Sequence, residues 1–338
     1  MWSGPSTPLG QKLQNDSNNE AGSVKADRSQ RAQHNTHVGN PRAPVVWGAG
    51  RGQQQYLTLA TANPDTCSTV TRHEELDALL WRTTRADIIG LQEIRRPWDN
   101  RSGLCCVQGR YTLYHTASSP EGDLGGLGVG IMVRNQLVPT IMSLKLLGPR
   151  LLVAKFRGAQ RNLTVFVGHA PHAEASDIAR QAFYDQLNAA TSACNEMDTK
   201  IVLIDANAGP GASRLGREHL VGPHGIPYPG GSRHKAAHLK AFRAYFLAHS
   251  LCVGHTWFEH KTRFKHTFYP NAANAGSPRD MDHVLIDLRS ASCLEDCKSL
   301  PGAPLSTSEN LVDGLLPGHR IVVAKLRCRI QANKGNIP

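Results

Sequence analysis

From about residue 56 onward, segments with the apolar pattern of a strand alternate with segments that have the apolar spacing of a helix. The segments YLTLATAN (56–63) and ADIIGLQE (86–93) are short apolar runs that predict strands. Between them, HEELDALLWRTT (73–84) places apolar residues at the three- and four-residue spacing of a helix. This alternation of strand and helix patterns is typical of an α/β fold.

The alternation continues to residue 330. The further predicted strands cover 126–133, 151–156, 162–171, 200–208, 281–288 and 319–330, and the further predicted helices cover 175–194 and 236–251. Strand patterns follow one another directly in the middle of the chain, whereas helices intervene elsewhere, so we expect mixed rather than purely parallel sheets. We therefore predict an α/β fold in which two mixed β-sheets pack together and are flanked by helices, a four-layer sandwich.

The domain organisation follows from where this pattern begins and ends. Residues 1–53 are rich in Gln, Asn, Ser, Gly and Arg and contain no sustained apolar period, so we predict a disordered N-terminal tail. A single domain is expected over 54–330, followed by a short C-terminal tail over 331–338. Within the domain, the Gly- and Pro-rich segment 209–234 is predicted to be a long surface loop.

Composition and charge narrow the class of partner. The chain has 338 residues, of which 40% are hydrophobic, which is enough for a sizeable core. Its formal charge of +11 favours a polyanionic partner such as nucleic acid. The sequence has no apolar run of about 18 residues and no apolar signal-peptide core, so we expect an intracellular protein without membrane contact, in the nucleus rather than the cytoplasm. Nothing indicates a protein partner.

Polar residues of one chemical type stand at the ends of several predicted strands. Asn63 and Asp65 follow the first strand, Glu93 ends the next one, and Asp205 with Asn207 lie in the strand segment LIDANA. Open α/β sheets place their sites at such strand ends, and carboxylate and amide oxygens suit Mg²⁺. Asp205 and Asn207 alternate with small residues, so we expect them to face the same side of their strand. For any one of these residues the alternative is a polar cap at a strand end.

Two later motifs add a carboxylate and a histidine. Asp282 stands at the entry to the strand MDHVLI with His283 beside it, and His319 opens the last predicted strand. Phosphodiester cleavage needs a divalent cation, a group that activates water and donors that stabilise the developing charge. The alternative for a single histidine before a strand is a surface or capping residue.

The ordered set TANPDT, LQE, GHAPH, IDANA, MDH and PGH resembles the endonuclease/exonuclease/phosphatase superfamily, whose fold is that of deoxyribonuclease I. The resemblance covers residues 56–329. The accompanying segments DIIGLQEIRR and GGLGVGIMV are most similar to endonucleases of non-LTR retrotransposons and to the related craniofacial development protein 2-like proteins. Each motif is short, and their common order carries the resemblance.

The resemblance implies a role for each matching residue. Glu93 would be the principal ligand of Mg²⁺, or of Mn²⁺, with Asn63 and Asp65 around the ion and Asn63 also near the substrate. Asp205 would activate the nucleophile and Asn207 would position water and phosphate. Asp282 would hold His319, which would contact the scissile phosphate.

Two more candidates would contact the substrate, and two positions depart from the family pattern. His172, which closes GHAPH, and Phe268 are candidate substrate-binding residues, with core packing as the alternative for Phe268.

His169 stands where the family has tyrosine, and we expect this imidazole to act on the phosphate as a catalytic residue. Gly318 stands where the family has aspartate, so we expect the ring of His319 to lack the supporting carboxylate of the adjacent position, with Asp313 as a remote substitute.

Three functions therefore remain open. The first is a Mg²⁺-dependent endonuclease that nicks DNA, is related to retrotransposon endonucleases and has reduced activity because of His169 and Gly318. The second is a nucleic-acid-binding pseudoenzyme that has lost efficient catalysis. The third is a phosphatase that acts on a small phosphoester.

Overall fold

The computed structural model describes residues 56–96, 109–116, 128–172, 174–211, 220–227, 233–270, 277–303, 305 and 317–327. The predicted tails over 1–53 and 331–338, much of the predicted loop 209–234 and the position of Asp313 lie outside these residues. No helix within the described ranges is long and apolar enough to cross a membrane.

Strands make up most of the regular structure. In chain order they are β1 (Tyr56–Ala62), β2 (Ile88–Leu91), β3 (Tyr111–His115), β4 (Gly130–Arg134), β5 (Ile141–Gly148), β6 (Leu151–Phe156), β7 (Leu163–His169), β8 (Thr199–Asp205), β9 (Leu251–Val253), β10 (Phe268–Tyr269), β11 (Asp282–Asp287), β12 (Leu294–Leu300), β13 (Gly318–His319) and β14 (Ile321–Arg327). The helices are α1 (Val70–Thr84), α2 (Asp177–Ser192) and α3 (Arg233–Ala248).

The strands form two six-stranded mixed sheets, as predicted. The first sheet has the order β12-β14-β1-β2-β4-β3, and the second has the order β5-β6-β7-β8-β11-β9. Within the first sheet β1 and β2 are parallel, and within the second β7 and β8 are parallel, whereas the other neighbours are antiparallel. The short strands β10 and β13 pair separately.

The two sheets pack face to face around a buried apolar core. Gly90 of β2 lies where they approach most closely, since a Cβ atom there would stand 2.7 Å from Cβ of Leu203 in β8. Leu76 and Leu80 of α1 join a cluster with the first sheet, and residues of α2 and α3 join the core of the second. The layers are thus helix, sheet, sheet and helices, and the predicted α/β sandwich is confirmed.

Local caps explain where the helices begin. The Thr69 hydroxyl accepts a hydrogen bond from the backbone N–H of Arg72, so α1 begins at Val70, three residues before the predicted start. The Ser176 hydroxyl caps α2 in the same way by accepting from Ala179 N–H. Both helices therefore begin after a hydroxyl side chain.

Strand register brings the polar strand ends together. Asp205, the last residue of β8, is paired with Asp282 on one side and with His169 on the other. Asn63 and Glu93 follow the parallel strands β1 and β2 of the facing sheet. One edge of the sandwich therefore gathers polar side chains from both sheets.

Candidate active site

Asn63 connects the two sheets at this edge. Its side chain is fully buried, and its Nδ2 atom donates to Glu93 Oε1 at 3.0 Å and to Asp205 Oδ2 at 3.1 Å. Its Oδ1 atom accepts from the backbone N–H of Asp65 at 3.0 Å, which closes a turn in which Asp65 has a φ of 60°. One amide therefore fixes two carboxylates relative to each other.

Glu93 lies two residues beyond β2 and has a φ of 49°. Burial acts to raise the pKa of Glu93, but His169 and hydrogen bonds from Arg95 and Asn63 outweigh burial and lower that pKa overall. Its carboxylate is therefore ionised at neutral pH. An ionised, partly buried carboxylate is a suitable ligand for a divalent cation.

Asp205 is the most buried carboxylate among the predicted metal and nucleophile residues, with 1% of its surface exposed. Burial and the neighbouring Asp282 carboxylate raise its pKa. Its Oδ1 atom accepts from the backbone N–H of Asn207 at 2.9 Å. A carboxylate with a raised pKa is a better acceptor for a proton from water than an ordinary aspartate.

Asn207 does not share a strand face with Asp205, although the alternation of polar and small residues in LIDANA predicts that it does. Strand β8 ends at Asp205, and Asn207 has a φ of 49°, so the chain has already turned away. The Asn207 Nδ2 atom donates to the carbonyl oxygen of Ala170 at 2.9 Å. Asn207 is nevertheless at the site, because its backbone N–H is bound to Asp205.

His319 is held by the carboxylate of Asp282, although the preceding residue is Gly318 and not an aspartate. Its Nδ1 atom lies 3.0 Å from Asp282 Oδ2 and 3.2 Å from Oδ1, and 3.8 Å from Asp205 Oδ2. Burial would lower the pKa of His319, but Asp282 and Asp205 raise it to about 10. Asp282 therefore supports this ring from β11, although position 318 has no carboxylate.

His169 ends β7 and points into the same cluster. Its Nε2 atom lies 3.6 Å from Glu93 Oε1 and 4.0 Å from Asp205 Oδ2. Burial lowers the pKa of His169 and outweighs the two carboxylates, so the ring is neutral at physiological pH. A neutral imidazole offers one ring nitrogen as a metal ligand, and the Nε2 atom lies beside the carboxylates of Glu93 and Asp205.

Phe268 and His172 differ in how close they come to this cluster. Phe268 is half-buried, is paired with His319 across β10 and β13, and places its ring edge-on to the imidazole with 4.8 Å between ring centroids. His172 is exposed, and no hydrogen bond or ion pair among the described residues joins its side chain to the other candidates. Phe268 thus borders the site, whereas His172 lies outside it.

Thr267 has a role that the sequence pattern did not indicate. Its hydroxyl oxygen accepts from the backbone N–H groups of Met281 at 2.8 Å and Asp282 at 2.9 Å. These contacts fix the beginning of β11 and hence the carboxylate that holds His319. No sequence signal distinguishes this threonine from others in loops, because its function depends on a partner 15 residues away.

Two groups of side chains at this edge have the spacing of metal ligands. The potential ligand atoms of Glu93, His169 and Asp205 all lie within 4.8 Å of one another, as do those of Asp205, Asp282 and His319. The second group is an internal ion pair, because His319 is protonated and bound to Asp282. The first group, with its ionised carboxylate and neutral imidazole, fits a divalent cation.

Comparison with known proteins identifies the family and the fold. The sequence model described as the Endonuclease/Exonuclease/phosphatase family matches residues 32–291. Craniofacial development protein 2 from Bos taurus is 23% identical over 248 residues, which are 72% of this chain and 37% of that protein. The chain thus spans little more than a third of the length of this curated relative.

Solved structures share the fold at low sequence identity. The AP endonuclease of Leishmania major superposes with a TM-score of 0.58 at 13% identity, covering 81% of this chain and 88% of that one. The catalytic domain of APE2 from Xenopus laevis superposes with a TM-score of 0.58 at 18% identity, covering 82% of this chain and 94% of that one. At these low identities, both superpositions show similarity of fold alone.

Proposed function

Because the chain belongs to the Endonuclease/Exonuclease/phosphatase family, we propose that it is a Mg²⁺- or Mn²⁺-dependent phosphodiesterase that nicks DNA. The observation that carries this proposal is the convergence of Asn63, Glu93, Asp205, Asp282 and His319 through hydrogen bonds at one edge of the sandwich. Every one of these side chains belongs to a motif that follows the family order.

Glu93 and His169 are the residues that would hold the cation, and Asp205 beside them would remain free to accept a proton. Bound there, a divalent ion supplies charge neutralisation for the phosphate during cleavage. Asn63 supports the site by donating to Glu93 and Asp205, which keeps both carboxylates in place before a substrate arrives. Asp65 lies in the turn that Asn63 closes, at the margin of the site.

Asp205 would act as a proton acceptor, and His319 would act as a hydrogen-bond donor. Asp205 has a raised pKa and would accept a proton from water as the water oxygen attacks phosphorus. The bond from phosphorus to the 3′ oxygen then breaks, and that oxygen takes a proton from solvent water, which leaves a 3′ hydroxyl on one fragment and a 5′ phosphate on the other. His319 is protonated because Asp282 and Asp205 raise its pKa, and its Nε2–H, which has no partner among the described hydrogen bonds, would donate to a phosphate oxygen.

We propose DNA as the substrate because the chain combines this site with a formal charge of +11. A strongly basic protein gains affinity for a polyanionic backbone through release of counterions. Phe268 borders His319 and is half-buried, so it is the aromatic residue best placed to contact a nucleotide next to the scissile phosphate.

The test is nicking of supercoiled plasmid by the full chain with Mg²⁺ or Mn²⁺, beside the isosteric variant Glu93→Gln. We expect the wild type to produce open circles and the variant to be at least about 100-fold slower, since one well-placed electrostatic contact is typically worth that much. Equal nicking by both proteins would overturn the proposal.

The same assay separates the two other functions. Tight, salt-sensitive DNA binding without nicking would identify a binding protein that has lost catalysis. Release of phosphate from a small phosphoester, without any effect on the plasmid, would identify a phosphatase. The bond between His319 and Asp282 argues against the first alternative, because the supporting carboxylate is present.

A further inference from the structure

A second cluster of histidine and aspartate lies apart from the candidate active site. It comprises His255 in the 3₁₀ helix Gly254–Trp257, Asp280 just before β11, and His283 within β11. All three are buried, with 2%, 7% and 0% of their surfaces exposed. Their potential ligand atoms all lie within 4.8 Å of one another. His283 follows Asp282 in the strand, so the two side chains point to opposite faces of the sheet.

The hydrogen bond of His283 determines where its proton lies. Its Nε2 atom is 2.8 Å from the carbonyl oxygen of Ala208, which can only accept, so Nε2 carries a hydrogen and donates it. In the neutral ring the Nδ1 atom therefore carries a lone pair.

This lone pair faces a carboxylate oxygen. Nδ1 of His283 lies 3.6 Å from Oδ1 of Asp280, which is too long for a hydrogen bond. Both atoms are buried and have no hydrogen-bond partner among the residues that the structure describes. Two acceptors that face each other in the protein interior repel and have both lost water, so the arrangement is unfavourable unless a cation lies between them.

Asp280 adds a negative charge to this arrangement. The Oδ2 atom is 2.8 Å from Nε2 of His255, whereas Oδ1 has only the lone pair of His283 opposite it. One half of a buried carboxylate is thus left without a donor.

We propose that His255, Asp280 and His283 bind a Zn²⁺ ion. Two imidazoles and one carboxylate are a donor set that zinc uses, with water in the fourth position. Ligand atoms at about 2.0 to 2.2 Å from one tetrahedral ion lie roughly 3.4 Å apart, close to the 3.6 Å between Nδ1 of His283 and Oδ1 of Asp280. The bond from His283 to Ala208 is the outer contact that orients a metal-binding imidazole.

The ion would stabilise the segment that carries the proposed catalytic machinery. It would join the 3₁₀ helix after β9 to the residues that lead into β11, where Asp282 begins the strand. Phe242 of α3 packs flat against the ring of His283, with 4.9 Å between ring centroids, so the ring is already held in place. This site does not depend on the proposed phosphodiesterase activity.

The experiment is to measure the zinc content of the purified full chain by mass spectrometry after dialysis against a weak chelator. We expect about one Zn²⁺ per wild-type chain, and X-ray absorption at the zinc edge should show two imidazole ligands. The variant Asp280→Asn should contain almost no zinc and still fold, because the asparagine oxygen can accept from His255 while its amide donates to Nδ1 of His283. Circular dichroism would verify the fold.

Two further variants make the result decisive. Glu93→Gln changes the candidate catalytic site and should keep its zinc. His255→Asn should lose the zinc, and it provides a second test of the site if Asp280→Asn does not fold. A folded wild type that takes up no zinc from an equimolar solution would overturn the proposal. It would also be overturned if Asp280→Asn and His255→Asn kept the zinc, which would then belong to other histidines, or if Glu93→Gln lost it.

Discussion

Asp282 holds the imidazole of His319 through Nδ1, with 3.0 Å to Oδ2 and 3.2 Å to Oδ1. The two residues come from different strands and lie 37 positions apart in the chain. Asp282 is itself fixed by the hydroxyl of Thr267, which accepts its backbone N–H. The pair therefore supplies a protonated imidazole at the edge of the sandwich without any carboxylate at position 318.

The first prediction concerns the charge of His319. Asp282 and Asp205 raise its pKa from 6.5 to about 10 despite burial, so its contribution to stability is complete below about pH 6.5 and is lost as pH rises through 10. Replacing Asp282 with Asn should lower the pKa of His319 by about 1 to 3 pH units, the usual effect of one nearby opposite charge. Nuclear magnetic resonance titration of the His319 Cε1–H signal measures this directly.

A second His–Asp pair provides the matched control. His260 Nε2 bonds Asp296 Oδ1 at 2.7 Å, remote from the proposed catalytic residues, so Asp296→Asn should leave the titration of His319 unchanged. The falling limb of the nicking rate against pH should move to lower pH in Asp282→Asn alone. If His319 titrates identically in the wild type and Asp282→Asn, the ion pair does not control its charge.

The second prediction concerns Asn63. Replacing it with Ala removes the amide that donates to both Glu93 and Asp205, which leaves two partly or fully buried carboxylates without that donor. We expect a loss of about 10- to 100-fold in nicking rate or in affinity for Mn²⁺, as is usual for a residue that supports metal ligands. Calorimetric titration with Mn²⁺ and single-turnover nicking measure the two effects.

Asn188 offers a control of the same residue type. Its side chain bonds His249 at 2.9 Å and has no contact with the proposed catalytic residues among the described bonds. Asn188→Ala should retain wild-type nicking and Mn²⁺ affinity. Wild-type nicking by Asn63→Ala would refute the supporting role of Asn63.

The parts of the fold that the sequence predicts are its central strands. Strands β1, β2, β7, β8 and β11 are nearly continuous apolar runs, because both of their faces are covered. The sheet edges β3, β5, β9 and β12 were not predicted. In β5 and β12 several side chains are exposed or half-buried, so these edge strands contain no long apolar run that a pattern could reveal.

The candidate site also contains residues that the sequence identifies and contacts that it does not. Residues at strand ends were identifiable, since Asn63, Glu93 and Asp205 each follow or end an apolar run and match a motif. The support of His319 by Asp282 came only from the resemblance, because the register that places Asp282 beside Asp205 cannot be read from the sequence. The turn at Asn207 was missed for a comparable reason, since a positive φ leaves no mark on the alternation of residues.

The third prediction concerns Gly318. It has a φ of 98°, a conformation that residues with a Cβ atom rarely adopt. Gly318→Asp, which restores the family residue, should therefore cost about 1 to 3 kcal/mol of stability and should not raise the nicking rate, because Asp282 already bonds Nδ1 of His319. Chemical denaturation measures the change in stability.

Gly318→Ala separates strain from charge at this position. Alanine adds a Cβ atom without a carboxylate, so it should destabilise the protein by a similar amount. A clear increase in nicking rate for Gly318→Asp over Gly318→Ala would show that a carboxylate at position 318 adds something that Asp282 does not supply.

The fourth prediction concerns the cation that the site prefers. His169 presents a neutral imidazole within 3.6 Å of Glu93 and 4.0 Å of Asp205, and imidazole favours transition metals over Mg²⁺. The wild type should therefore bind Mn²⁺ more tightly than Mg²⁺. His169→Tyr should reduce that preference by at least about tenfold, or 1.4 kcal/mol. Electron paramagnetic resonance of bound Mn²⁺ should show nitrogen coupling in the wild type and none in the variant, whereas nitrogen coupling that persists in His169→Tyr would mean that another histidine binds the ion.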